Sequence, residues 1–441
     1  MHRKTGEGLG WFAIIRLGAV QASIGMIVML ATSLLNRVMV VEYAMAAAIP
    51  AGLVAWHYAV QLSRPLWGHG SDLGRRRTPW VLGGMCVLGL GALLAVDATT
   101  MMAARPVLAF ALAILAFTMI GAGVGAAGTS MLALLASGVV PQRRAAAAAV
   151  TWIMMVAGIV LAAGVAGALL DPFSEARLAV VSGGVVMAAL ALSWLAMFRL
   201  EARMVPLARH GAARDTAGFA DAIRDILDDP EARRFTAFIF VSMLAYSMQD
   251  LILEPFAGLV FAMTPGQSTS LSGLQHGGVL LGMISSGIGG SAFAGRLPGE
   301  LRHWIITGCL GSALALVGLA TAARVGMPWP LEANVFALGF CNGLFAVAAI
   351  GAMMGLAGKG RKSREGIRMG VWGASQAIAF GLGGLIGALG VDIARRMQGQ
   401  DGAAFQTIFA AEAALFVCAA LLAGRATGRR SETGQTRMAG T

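Results

Sequence analysis

Twelve apolar stretches, each close to the roughly 20 residues that a helix needs to cross a bilayer, leave this chain few folds to adopt. They lie near 14–35, 44–63, 79–96, 106–136, 148–170, 178–198, 235–263, 271–294, 303–323, 332–356, 367–390 and 404–423. Hydrocarbon offers no water to complete backbone N–H and C=O groups, so runs of this length read as helices that satisfy their own backbone. Hydrophobic residues make up 57% of the 441 and charged residues 12%, against about 25% charged in a soluble protein. The predicted fold class is an all-α polytopic membrane protein with twelve transmembrane helices in two six-helix halves.

A net charge of +11 could suggest a nucleic-acid partner, but the placement of Lys and Arg argues for topology instead. With the N-terminus in the cytoplasm, 26 of the 33 fall in cytoplasmic segments, 6 in the opposite loops and Arg16 within the first span. That is a strong positive-inside bias, and it predicts both termini cytoplasmic and no nucleic acid bound. Basic residues precede a long first span with no small-residue cleavage site, so this span is expected to be retained rather than removed as a signal peptide. Cys86, Cys309, Cys341 and Cys418 all fall inside predicted helices without a CxxC pair, which argues against a disulfide framework and against a zinc site.

The one long polar stretch divides six spans from six. The expected organisation is an N-terminal half over 1–199, a cytoplasmic linker over 200–234, a C-terminal half over 235–424 and a flexible tail over 425–441. Within the linker, Phe219, Ile223 and Ile226 or Leu227 share a face and predict a short surface helix. The halves echo each other: Asn36-Arg37, Glu42 and His57 resemble Gln249-Asp250, Glu254 and His276 in order, with a longer loop in the second. Between spans 2 and 3, GHGSDLGRRRTPW resembles the loop signature of the major facilitator superfamily, with Gly68, Asp72, Gly74 and the basic run Arg75, Arg76, Arg77. It departs by one residue between the Asp and the second Gly, and the alternative reading is a basic loop that sets topology.

Gly123, Gly125 and Gly128 satisfy GxGxxG, yet a dinucleotide fingerprint needs a strand before it and a βαβ unit around it, so no nucleotide is expected. Gly121 with Gly125, and Gly383 with Gly387, instead suit close helix packing. No nucleophile stands beside a base, and neither a Walker loop nor HExxH occurs. The expectation is a protein that is not an enzyme, with no catalytic residues and no directly bound metal.

Ionisable groups at membrane depth cost about 2.5–3.5 kcal/mol on insertion scales, so they are usually paired or functional. Asp250 and Glu254 lie one helical turn apart in QDLILEPFAGLVF, on one face of span 7. Arg37 and Glu42 end span 1 at similar depth. These four are expected to form a polar cluster between the halves, with Arg37 pairing across to Asp250 or Glu254. Pro255 and Gly258 predict a kink or break in span 7. His57, Gln61, Gln275, His276 and Asn342 are candidates to face a cavity, and Glu412 raises the same question.

Two blocks are more specific. LLNRVMVVEYAMAAAIPAGLVAWHYAVQLSRPLWGHGSDLGRRRTPW and QDLILEPFAGLVFAMTPGQSTSLSGLQHGGVLLGM resemble the PucC/LhaA family of purple phototrophic bacteria, and SLSGLQHGGVLLGM is most like its branch called bacteriochlorophyll synthase chain. The resemblance implies a major-facilitator-like assembly factor for light-harvesting antennae in the bacterial inner, intracytoplasmic photosynthetic membrane. It implies bacteriochlorophyll as cargo or bound pigment, antenna polypeptides as partners and bacteriochlorophyll synthase as a further one. The pigment magnesium accepts one axial ligand, for which His57, His276, Gln61 or Gln275 would serve. A proton-coupled secondary transporter and an accessory subunit of pigment synthesis are the competing expectations.

Overall fold

The computed structural model describes residues 9–64, 66–67, 71, 76–140, 143–201, 230–289, 298–357 and 365–426. Among them there is no strand, and the chain runs through α1 (Trp11–Glu42), α2 (Ala48–Gln61), α3 (Thr78–Thr100), α4 (Pro106–Gly138), α5 (Arg144–Leu170) and α6 (Glu175–Met197). It continues through α7 (Pro230–Phe261), α8 (Pro265–Gly289), α9 (Pro298–Val325), α10 (Leu331–Ala357), α11 (Glu365–Gln398) and α12 (Asp401–Ala426). Ten of these helices contain a segment long and apolar enough to cross a membrane. The two outside that set, α2 and α8, are the ones that carry His57 and His276. Large apolar side chains such as Val107, Leu161 and Leu314 are exposed, as a lipid-facing surface requires. The chain is a membrane protein. The linker helix, Gly68, Asp72, Gly74, Arg75 and most of the tail lie outside the described residues.

Two buried apolar clusters hold most of the core. One draws on residues 14–200 and recruits Leu251 and Ala388, and the other draws on residues 235–423. They adjoin where α1 meets α7, α2 meets α11 and α5 meets α8.

Helix ends are completed from elsewhere in the chain. Glu201 accepts from the amides of Arg77 (2.7 Å) and Thr78 (2.8 Å) at the start of α3. Asp392 of α11 accepts from those of Ala47 (3.1 Å) and Ala48 (2.8 Å) at the start of α2. Arg16 of α1 donates to the Ala196 and Phe198 carbonyls at the end of α6. Thr264 and Gln267 form a reciprocal capping box before α8, with Pro265 at the first helical position. α1 and α7 end alike: Ala44 and Ala262 take φ of 51° and 53°, and Met45 and Met263 amides close back on the Met39 and Ala257 carbonyls. This is the left-handed stop that satisfies the last carbonyls of a helix.

Glycines set how closely α8 is held. A Cβ on Gly278 or Gly282 would meet the α10 backbone at Phe336 and Phe340, and one on Gly339 or Gly343 would meet the α8 backbone at Gln275 and Val279. Small residues four apart on both helices let the two backbones touch. Against α5 the contact is graded. Gly273 lies on Ala163 and Gly164, and Gly167 lies on Gly266 and Ser270, whereas nearer the other end Val279 and Met283 pack with Val156 among bulkier partners such as Trp152. Gly383 and Gly387 of α11 lie on the α7 backbone, and Gly121 on the His57 carbonyl, as expected for small residues at helix contacts.

Candidate functional site

α1 departs from α-helical winding at two places, Leu30–Leu34 and Val38–Glu42, where the turns widen to π-helix. Such bulges re-aim side chains, and here the first contains Ser33 and the two flank Asn36 and Arg37, all buried against α7 and α8.

α7 is continuous through Pro255, so the predicted break is corrected to an unbroken helix. Proline has no N–H for the carbonyl four residues earlier, which is that of Leu251. Asn36 Nδ2 donates to this oxygen at 2.7 Å. A side chain of α1 thus replaces the hydrogen bond that the α7 proline cannot make.

Arg37 is 1% exposed. Its guanidinium pairs with Glu42 of its own helix, while Nε donates to Ser268 Oγ (3.1 Å) and another nitrogen to the Met263 carbonyl (2.7 Å). The predicted pairing of Arg37 with Asp250 or Glu254 is therefore corrected: Glu42 is the ionic partner, and the links to Ser268 and Met263 are hydrogen bonds. The reason is geometric, because the widened turn after Arg37 brings Glu42 back onto it.

Glu254, 2% exposed, is held by hydroxyls. Ser33 donates to Oε1 and Thr269 lies 3.5 Å from Oε2, with Ser272 Oγ 3.0 Å from Ser33 Oγ. Asp250, one turn earlier, is different: its Oδ1 is buried without a hydrogen-bond partner. The two carboxylates share a helix face, yet one is tied into the contact with α1 and α8 and the other is left to the interior.

Both line a cavity of about 70 Å³, smaller than the roughly 300–1,000 Å³ of small-molecule sites. Its walls include Ser33 of α1, Tyr58 of α2, Gln275 and His276 of α8 and Phe380 of α11. Tyr58 and Tyr246 rings lie 5.9 and 5.7 Å from Phe380, an aromatic run across three helices.

The remaining candidates separate clearly. His57 Nδ1 meets the Val54 carbonyl at 2.9 Å and Nε2 meets Gln61 Nε2 at 2.8 Å, while Gln61 Oε1 accepts from Arg64. Both nitrogens of His57 are engaged, so it cannot ligate a metal without breaking this chain, and neither residue lines the cavity. Asn342 also lies off it; its Oδ1 accepts from Ser312 Oγ at 2.8 Å and its Nδ2 has no partner. His276 is the exception. Its Nδ1 must carry the proton that bonds the Ser272 carbonyl at 2.9 Å, which leaves the lone pair of Nε2 on a ring that lines the cavity. Among the described residues no cluster of His, Cys, Asp and Glu could hold a bare metal ion.

Some polar residues at these contacts went unforeseen in the sequence. Asp392 and Asp171 secure α2 and α8 from neighbouring helices, Asp171 accepting from Thr264 Oγ1 at 2.6 Å. The TPGQ run was a capping-box pattern that could have marked the start of α8.

The profile of the family described as PUCC protein matches residues 34–431. The chain is 49% identical over 434 residues to the "Bacteriochlorophyll synthase 44.5 kDa chain" of Rhodobacter capsulatus, covering 98% of this chain and 99% of that one. It is 29% identical to "Protein PucC" of the same organism, covering 92% and 90%. Among solved structures, a bacterial homologue of the lysosomal transporter Spinster, inward-facing and unoccupied, aligns with a TM-score of 0.69 at 15% identity over 95% of this chain and 98% of that one. A structure of proton-dependent oligopeptide transporters aligns with a TM-score of 0.68 at 12% identity over 94% and 98%. At these identities the shared property is the fold, which is of the major facilitator type.

Proposed function

Since the chain belongs to the PUCC protein family, we propose that it is a non-enzymatic assembly factor that holds bacteriochlorophyll and passes it to light-harvesting antenna polypeptides as they assemble. The reading includes twelve membrane crossings in two six-helix halves, both termini in the cytoplasm, and residence in the intracytoplasmic photosynthetic membrane. The name of one relative points to bacteriochlorophyll, and the resemblance to the PucC family implies antenna assembly. The observation that carries the reading within the molecule is His276, whose Nε2 lone pair belongs to a ring lining an aromatic-walled cavity between α1, α7 and α8.

The donor set suits the magnesium of a tetrapyrrole, and a cavity of about 70 Å³ requires the helices to part before the ring can enter. A neutral imidazole offers one axial ligand, the rings of Tyr58 and Phe380 offer apolar faces, and Gln275 offers an amide for a ring substituent. Bound pigment would supply its own magnesium. This chain's part is to ligate through His276, to keep that ring neutral and oriented through the Ser272 carbonyl, and to exclude water. Bacteriochlorophyll synthase is a proposed second partner, as the source of pigment.

The test is the absorbance spectrum of gently purified protein. Pigment should co-purify with wild type and fall severalfold with His276→Ala, while His57→Ala keeps it; pigment unchanged in His276→Ala refutes the ligand. Deletion should lower antenna complexes and leave free pigment synthesis largely intact. Loss of esterified pigment on deletion would favour a part in synthesis instead.

A second reading rests on Asp250, a cavity carboxylate with a buried oxygen lacking a partner. It is a proton-coupled transporter of a small amphipathic solute, and it predicts counterflow in proteoliposomes that Asp250→Asn abolishes.

A further inference from the structure

A second hollow shares no lining residue with the central cavity. It has a volume of about 320 Å³ over the seam of α3 and α4 and is lined by Trp67, Pro79, Trp80, Gly83, Val87 and Ala122, with Gly84, Gly123 and Ala126 at its base. The base is closed because α3 and α4 touch there: a Cβ on Gly84 would meet the Ala127 amide, and one on Gly123 the Leu88 amide. The outer side is open, with Pro79, Gly83 and Val87 exposed. The result is an apolar trough running along the bundle surface, headed by two indoles whose rings lie 6.4 Å apart.

Tryptophans gather where hydrocarbon gives way to headgroups, and this pair sits at the end of α3 that follows the basic run Arg75, Arg76, Arg77. Arg76 is exposed just before α3, and Arg64, also exposed, keeps one guanidinium nitrogen on Gln61 Oε1 and leaves the rest of its donors free for an anion; the Arg64 side chain lies beside Trp67, both within reach of Gly125. Arg77 is anchored, donating to the Ala133 carbonyl (2.8 Å) and Ser137 Oγ (3.1 Å). The amides at the start of α3 are taken by Glu201, so the helix terminus offers little to an anion and the arginine side chains carry that charge.

We propose that this trough is a binding site for one anionic phospholipid, with an acyl chain along Trp80, Gly83 and Val87 and its phosphate at Arg76 and Arg64. A hydrocarbon groove accounts for the chain, and the cationic rim selects the headgroup. A partner transmembrane helix would also fit small residues, but a cationic rim beside paired indoles gives a helix nothing that a neutral one would lack.

Native mass spectrometry of the full-length protein in detergent, titrated with phosphatidylglycerol or with phosphatidylcholine of identical chains, reads the site. Phosphatidylglycerol should show one retained molecule bound about tenfold more tightly than phosphatidylcholine. Arg76→Gln should weaken it about fivefold, the scale of one basic residue at an anionic surface. Gly83→Leu fills the trough from a position where a Cβ meets nothing within 4 Å, so the protein should keep its melting temperature and lose the bound lipid. Equal retention of the two lipids, or phosphatidylglycerol retained unchanged in Gly83→Leu with the melting temperature intact, overturns the proposal. If Gly83→Leu lowers the melting temperature, Trp80→Ala serves instead, and unchanged selectivity there refutes the site equally.

Discussion

Asn36→Ala isolates the bond by which α1 completes α7. Leu251 is 4% exposed, and proline at 255 leaves its carbonyl dependent on Asn36 Nδ2 at 2.7 Å. A buried acceptor without a partner costs about 1–3 kcal/mol. Asn36 also carries a buried Oδ1 with no partner, and removing it relieves part of that cost, so the expected loss is about 1–2 kcal/mol. Pro255→Ala restores an N–H at 255 and lets α7 bond its own Leu251 carbonyl. In that background Asn36→Ala should cost less than about 0.5 kcal/mol, giving a coupling near 1 kcal/mol. Equilibrium unfolding of the four proteins in mixed micelles with rising dodecyl sulfate, followed by tryptophan fluorescence, measures the cycle. An equal cost of Asn36→Ala with and without Pro255 refutes the exchange of one donor for the other.

A second cycle concerns Arg37: its coupling to Glu42, by Arg37→Met with Glu42→Gln, should be about 2 kcal/mol and exceed its coupling to Glu254, as expected for the only direct ion pair it makes among the described residues. A larger value with Glu254 in the same assay would reinstate the pairing across the bundles. Glu412 is fully buried with both oxygens unpartnered, so Glu412→Met should leave the melting temperature unchanged or raise it; a clear fall would reveal a partner that supports it. Gly282→Leu has no room against the Phe340 carbonyl and should cost about 1–3 kcal/mol by overpacking, while Gly277→Leu, where a Cβ meets nothing within 4 Å, should be near neutral.

Much of this architecture could be read in the sequence because lipid imposes one rule, that long apolar runs become helices, and the predicted spans coincide with the observed helices to within a few residues at most ends. Asp250, Glu254, Arg37, Gln275 and His276 were visible for the same reason, as polar residues in apolar runs. Pairing was not visible. Composition cannot show a widened helical turn, and without it Glu42 stays too far round α1 to meet Arg37. The echo of the two halves was legible but slipped: the matched stops at Ala44 and Ala262 set Asn36 against Glu254 rather than Gln249. His57 and His276 look equivalent by sequence, and the neighbour on Nε2 and the place relative to the cavity separate them. The glycine contacts of α8 with α10 were lost among 60 glycines, since what matters is the carbonyl each one faces.

The graded seam between α5 and α8 has the geometry of a fulcrum. Bare backbone at Gly164 and Gly273 allows rotation about a point but no approach beyond it, and the bulkier side chains further along keep the helices propped apart. From Gly273 to Gly289 α8 extends about 24 Å at 1.5 Å per residue, so a tilt of about 10° moves its far end by about 4 Å. Since α10 is fastened to α8 backbone to backbone, such a swing would carry both helices, while His276, three residues from Gly273, would move by less than about 1 Å.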